Sequence, residues 1–140
     1  MKNKLILVRG VPGSGKSTLA KLLANTQDVD HFEADMYFES TGVYKYVPEE
    51  IHLAHRWCQE ETEYSLDIGR TVVVSNTFTT IRELRPYFEI ADKFGIVPQV
   101  ITCQNDYGNI HSVPDEVMTK MKSRFTYDIS PLFSRDVAYA

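Results

Sequence analysis

Apolar residues fall along this chain in short unbroken runs, separated by longer stretches where they recur every three or four positions. Leu5-Ile-Leu-Val8 is the first run and predicts a strand buried on both faces. Ser17 to Ala24 follows, rich in helix formers, with Leu19, Leu22 and Leu23 on one side. His31-Phe-Glu-Ala34, ending at Asp35, is a second strand, and Met36 to Val47 reads as a loop. Pro48 suits the first turn of a helix over Glu49 to Ile68, whose buried face takes Ile51, Ala54, His55, Cys58, Thr62, Ser65 and Leu66; Gly69 stops it. Thr71-Val-Val-Val74 is β-branched throughout and predicts a central strand. Thr80 and Glu83 have capping-box spacing for a helix running to about Phe94, with Gly95 as its cap; Pro86 inside it delays or bends the first turn. Val97 to Thr102 is a fourth strand, and Pro114 opens a last helix to about Arg124. The tail from Thr126 to Ala140 carries little pattern.

Strands alternating with helices predict an α/β fold, three layers α/β/α around a four- or five-stranded parallel sheet. Such sheets bind ligands beyond the carboxyl ends of their strands. The segments after Val8, at Asp35, at Ser75-Asn-Thr77 and at Gln104-Asn105 are therefore expected along one edge.

One of those segments carries chemistry. Gly10 to Ser17 reads GVPGSGKS and fits the phosphate-loop pattern G-x-x-x-x-G-K-[ST] at every specified position. Such a loop turns its N–H groups inward as an anion cradle, here at the start of a helix. The cradle expected to hold ATP comprises Gly10, Pro12, Gly13, Ser14, Gly15, Lys16, Ser17 and Thr18. Lys16 would meet the β- and γ-phosphates and Ser17 would give its hydroxyl to Mg²⁺. This is the chemistry of a phosphate-loop NTPase.

Phosphoryl transfer to a hydroxyl also needs a base that orients the nucleophile. Asp35 follows a strand and stands where a carboxylate can do this, although aspartate also commonly caps a turn. Glu33 is a second candidate, since strand alternation would put it on the same side. Many phosphate-loop enzymes carry a further aspartate at a strand end beside the metal. Here the third strand ends in Ser75-Asn76-Thr77, neutral oxygen donors that either serve the site or satisfy their own backbone. The metal would then lean on Ser17, Asp35 and the nucleotide.

At 140 residues the chain predicts one domain, 1–140, and a net charge of −4 argues against extensive binding to duplex nucleic acid. Two cysteines make no disulfide framework, and no signal peptide or membrane span is read, so a reduced cytoplasmic setting is expected.

The chain resembles the phosphate-loop polynucleotide 5′-kinase-like family, which includes the kinase domain of phage polynucleotide kinase and NEDD4-binding protein 2-like domains. The matching stretches are PGSGKST, EADMYF (33–38), the G-x-Y stretch (42–44), PEEIHLAHRWCQ (48–59), VVVSNTFT (72–79) and GNIHSVPDEVMTKMKSRF (108–125), and they cover most of Leu5 to Phe125. The resemblance implies ATP- and Mg²⁺-dependent transfer to a hydroxyl, with the 5′ end of single-stranded DNA or RNA as acceptor; the sequence itself points to no membrane and to no partner protein. By the same match Asp35 is the base, and the helix at about 114–124 is a lid whose cations cover the transferring phosphate. Asn76 stands where the phage kinase has aspartate, Phe38 where it has a cation, and Gly108 where longer relatives tend to have arginine. The lid charge then falls to Arg124 first, then Lys120 or Lys122, helped by Arg82 and Arg85; each equally suits a solvated helix face. Tyr37, Phe38, Tyr44, Tyr46 and Trp57 either stack bases or pack a small core. A small-metabolite or nucleoside kinase, and an ATP-binding interaction module with little turnover, remain as alternatives.

Overall fold

A computed structural model of the chain describes residues 2–39, 45–107 and 113–133. Within them four parallel strands form one sheet: β1 (Leu5–Arg9), β2 (Val29–Phe32), β3 (Thr71–Asn76) and β4 (Gln99–Thr102), in the order β2-β3-β1-β4. The helices are α1 (Lys16–Leu23), α2 (Ile51–Asp67), α3 (Ile81–Lys93) and α4 (Asp115–Arg124), with 3₁₀ segments at Ala34–Glu39, Pro48–Glu50 and Ser130–Phe133.

Side-chain alternation in the strands builds the layers. Leu5, Leu7, Val72 and Val74 enter one cluster with Cys58 and Leu66 of α2 and Leu84, Tyr87, Ile90 and Ala91 of α3. Val8 and Val73 point the other way, onto Ala20 of α1 with Leu19 and Leu23. Apolar burial on both faces is why these strands read as unbroken runs. The chain leaves β1 through α1 toward β2 on one side, and leaves β3 through α3 toward β4 on the other. The connections diverge at the β1–β3 pair, so a crevice opens beyond the carboxyl ends of those two strands. Among the described residues no helix is long and apolar enough to cross a membrane.

Several boundaries differ from the sequence reading. β2 begins at Val29 and ends at Phe32, because its register on β3 runs from Val29 opposite Thr71 to Phe32 opposite Val74. Glu33 and Asp35 therefore lie beyond the strand, and Asp35 sits in the 3₁₀ segment, where strand alternation does not apply. Ser75 and Asn76 are the last residues of β3, paired with Val8 and Arg9, rather than a loop after it. Pro48 opens a 3₁₀ turn before α2, and Ile51 is exposed instead of buried. Leu22 is also exposed, its expected place in the core being taken by Ala20. Pro86 does not delay α3. Thr80 caps the helix by accepting from the Glu83 amide at 3.3 Å, so its start is set upstream of the proline.

Tyr37 packs against Phe38 and Trp57, Trp57 against Phe32, and Phe38 is buried. Tyr46 meets Phe38 edge-on and is half-exposed. Gly42 and Tyr44, Gly108 and His111, and the last seven residues of the tail lie outside the described residues.

Candidate nucleotide-binding site

The phosphate loop bridges β1 and α1 and is tied down on two sides. The Gly10 amide donates to the Thr77 carbonyl at 3.2 Å, and the Tyr107 amide donates to the Gly13 carbonyl at 2.8 Å. The tightness of the first turn explains Gly10. A Cβ there would lie 2.2 Å from Ser14 Oγ and 2.8 Å from the Cys103 carbonyl oxygen. Gly10→Ala is therefore expected to displace the loop at a cost of about 1–3 kcal/mol. Thermal melting should show the loss of stability, and ATP titration a weakening of roughly tenfold or more.

Gly15 ends the loop at φ 91°, a left-handed conformation that disfavours any other residue, and serves as the N-cap of α1. No side chain caps this helix, and its first turn holds no acid. Its leading N–H groups and positive dipole end are thus left for an external anion. Beside it lies a cavity of about 470 Å³, lined by residues 13–18, Leu19 and Leu22 on one side and by Cys103, Asn105 and Tyr107 on the other. That explains the exposure of Leu22: it faces the cavity. Asn105 Nδ2 donates to Tyr107 Oη at 3.0 Å, fixing the ring at the cavity wall. The helical spacing marked Leu22 for the core rather than for this wall, and Tyr107 did not stand out, because a lone loop tyrosine carries no spacing signal.

Lys16 is partly buried. Burial pulls its pKa down, while Glu33, Asp35 and, more weakly, Cys103 push it back up. Both carboxylates thus bear on the ammonium, and the segments after β1 and β2 lie near one another as expected. Asp35 itself is exposed. Glu33 is more enclosed, its side chain 18% exposed. Burial opposes its ionisation, but hydrogen bonds from His31, Ser17 and Ser75 outweigh that and bring its pKa to about 2. The Ser75 hydroxyl donates to Glu33 Oε1 at 2.6 Å, and His31 Nε2 stands 2.7 Å from Ser75 Oγ and 3.5 Å from Glu33 Oε1.

Asn76 resolves differently from either sequence alternative. It is buried, its Oδ1 accepts from the Ala34 amide at 2.9 Å, and its Nδ2 points to Cys58 Sγ at 3.8 Å. It braces the backbone between Glu33 and Asp35. Asn76→Ala leaves the Ala34 amide unsatisfied in a buried place and should cost about 1–3 kcal/mol in urea unfolding.

Arg9 ends β1 and is fully buried. Burial lowers its pKa, with Glu83 and Tyr127 acting the other way. Its Nε and Nη2 donate to the Phe78 carbonyl at 2.9 and 2.7 Å, holding Phe78 at φ 44°, a backbone conformation costly for a bulky side chain. Its guanidinium also lies 4.2 Å from the Phe125 ring centroid. Arg124 is exposed at the end of α4, and its Nε donates to Thr79 Oγ1 at 3.2 Å. Lys122 borders a smaller cavity of about 180 Å³ with Val11, Pro12 and Met118, while Lys120 is exposed. Across the crevice, burial lowers the pKa of His55, opposed by Glu83 and Asp35.

A parallel sheet, a lysine-bearing loop at its switch point and an uncapped helix behind that loop define a phosphate-loop, kinase-like nucleotide-binding fold. Residues 5–112 match the family described as AAA domain, and the chain belongs to it. Human NEDD4-binding protein 2 is similar to it, 27% identical over 139 residues that cover 90% of this chain and 8% of that protein. The structure is similar to a chain of the Pnkp1/Rnl/Hen1 RNA repair complex, with a TM-score of 0.60 and 16% identity over 99% of this chain and 47% of that one. It is also similar to the Mycobacterium tuberculosis APS kinase in complex with AMPPNP and APS, with a TM-score of 0.56 and 17% identity over 98% of this chain and 75% of that one. At such identities the two solved structures share the fold.

Proposed function

We propose that the chain binds ATP with Mg²⁺ and transfers the γ-phosphate to a hydroxyl, the 5′-hydroxyl of a polynucleotide being the acceptor. The observation that carries this reading is the convergence of Lys16, Glu33 and Asp35 at the mouth of the phosphate loop. The loop amides and the start of α1 hold the phosphates, and Lys16 neutralises charge on the β- and γ-phosphoryl oxygens. Asp35 accepts the proton of the acceptor hydroxyl as its oxygen attacks the γ-phosphorus, and the bond to the β-phosphate oxygen breaks to leave ADP. Arg124 supplies a cation from the lid side. Ser17 and Asp35 present hard oxygen donors, the chemistry Mg²⁺ takes when it shares its shell with phosphates and water; the ion would add charge neutralisation there. Cys58 and Cys103, both unbridged, suit a cytoplasmic setting.

The RNA repair complex among the similar structures supports the polynucleotide acceptor. A small-molecule acceptor has its own support: Glu83 and Asp35 both bear on His55, so the acceptor side is acidic. Incubation with γ-labelled ATP and Mg²⁺ against 5′-hydroxyl oligonucleotides, nucleosides and simple alcohols separates the two. Transfer to oligonucleotides that weakens with salt is the expected result, and no transfer to any acceptor overturns the proposal.

A further inference from the structure

The end of β3 lacks the aspartate that phosphate-loop enzymes commonly place beside the metal, yet a carboxylate stands there from the segment after another strand. Glu33 follows β2, and its carboxylate accepts hydrogen bonds from Ser17, the one loop hydroxyl suited to a magnesium ion, and from Ser75 in β3 at 2.6 Å. His31 Nε2, 2.7 Å from Ser75 Oγ, completes a chain that fixes both side chains. Two carboxylates at positions 33 and 75 would meet at hydrogen-bond distance and repel. The chain carries one, just past the end of β2, with a neutral hydroxyl facing it.

We infer that Glu33 supplies the anionic charge that orders the magnesium ion's shell beside Ser17, doing from the segment just past β2 what an aspartate at the end of β3 does elsewhere. The inference rests on the ATP-kinase reading and sharpens it, because it divides the two acids and moves the metal's carboxylate from Asp35 to Glu33. Glu33 serves the metal side, enclosed and fastened to the loop. Asp35 serves the acceptor side, exposed and near enough for its charge to bear on His55. Both balance Lys16.

Calorimetric titration of ATP, with excess EDTA and with excess magnesium chloride, tests the division without needing turnover. Wild type gains affinity when magnesium is present. Glu33→Gln keeps the shape of the side chain and removes its charge, and is expected to lose about 10–100-fold of that gain while its affinity in EDTA stays the same. The double variant Glu33→Gln/Ser75→Asp places a carboxylate on the residue of β3 that faces position 33 and recovers the gain; it also serves if Glu33→Gln alone folds poorly. A magnesium gain as large in Glu33→Gln as in wild type overturns the assignment and leaves the kinase reading standing. So does an equal loss of affinity in both buffers, the mark of a role in loop structure alone. A wild type that binds no ATP in either buffer overturns both readings.

Discussion

Asp35→Asn is expected to bind ATP as wild type does and to transfer phosphate about 10²–10⁴-fold more slowly. Three features separate the two effects. The substitution is isosteric, and the residue is exposed, so little packing is disturbed. The backbone that carries it is braced independently by Asn76 on the Ala34 amide. Asparagine can still align a hydroxyl, but it cannot take up the proton as the oxygen attacks. ATP itself does not need this carboxylate. The phosphate contacts belong to the loop, and removing a negative charge near a triphosphate does not weaken its binding. Single-turnover transfer with saturating ATP gives the rate, and equilibrium titration gives the affinity. A near-normal rate in the variant would remove Asp35 from the chemistry and move attention to Glu33.

Lys16→Met should fail at an earlier step. Methionine matches the length of the lysine stem and tolerates a partly buried site, so the fold is expected to persist by circular dichroism. What disappears is a charge-assisted contact to phosphate, about 1.5–3 kcal/mol, or roughly tenfold to a hundredfold in Kd. Transfer should fall further, by about 10²–10³-fold, because charge accumulates on those oxygens in the transition state. In the free protein Lys16 is also the cation that Glu33 and Asp35 share. Unchanged ATP affinity in this variant would place the phosphates elsewhere.

The fold was legible wherever burial was two-sided or a residue type was forced. Leu5 to Val8 and Thr71 to Val74 read as strands because α1 covers one face of the sheet and α2 and α3 the other. Gly10 and Gly15 read as a cradle because the tight turn and left-handed N-cap admit little else. β2 was displaced because the mixed pattern of Val29 to Asp35 allows more than one frame, and its register is decided by β3. The site was legible at Lys16 and Asp35 as positions. Glu33 was legible only as a second candidate base; its place beside Ser17 and Ser75 was not, because these meet only when α1 and β2 pack on β3. Arg9 escaped notice for a similar reason: an arginine ending a strand looks solvated until the Phe78 loop and Phe125 close over it.

That closure has a mechanical consequence. The last turn of α4 is fastened three times over: Arg124 to Thr79, the Thr126 amide to the Thr79 carbonyl at 2.7 Å, and Phe125 against Arg9. Any swing of α4 therefore turns about its C-terminal end. A ten-residue helix is about 15 Å long, so a tilt of roughly 20° carries its far end some 5 Å while Arg124 scarcely moves. Lys120, a full turn from the pivot, travels farther. The arginine is a fixed post, and if α4 swings, Lys120 and Lys122 are the cations it would carry.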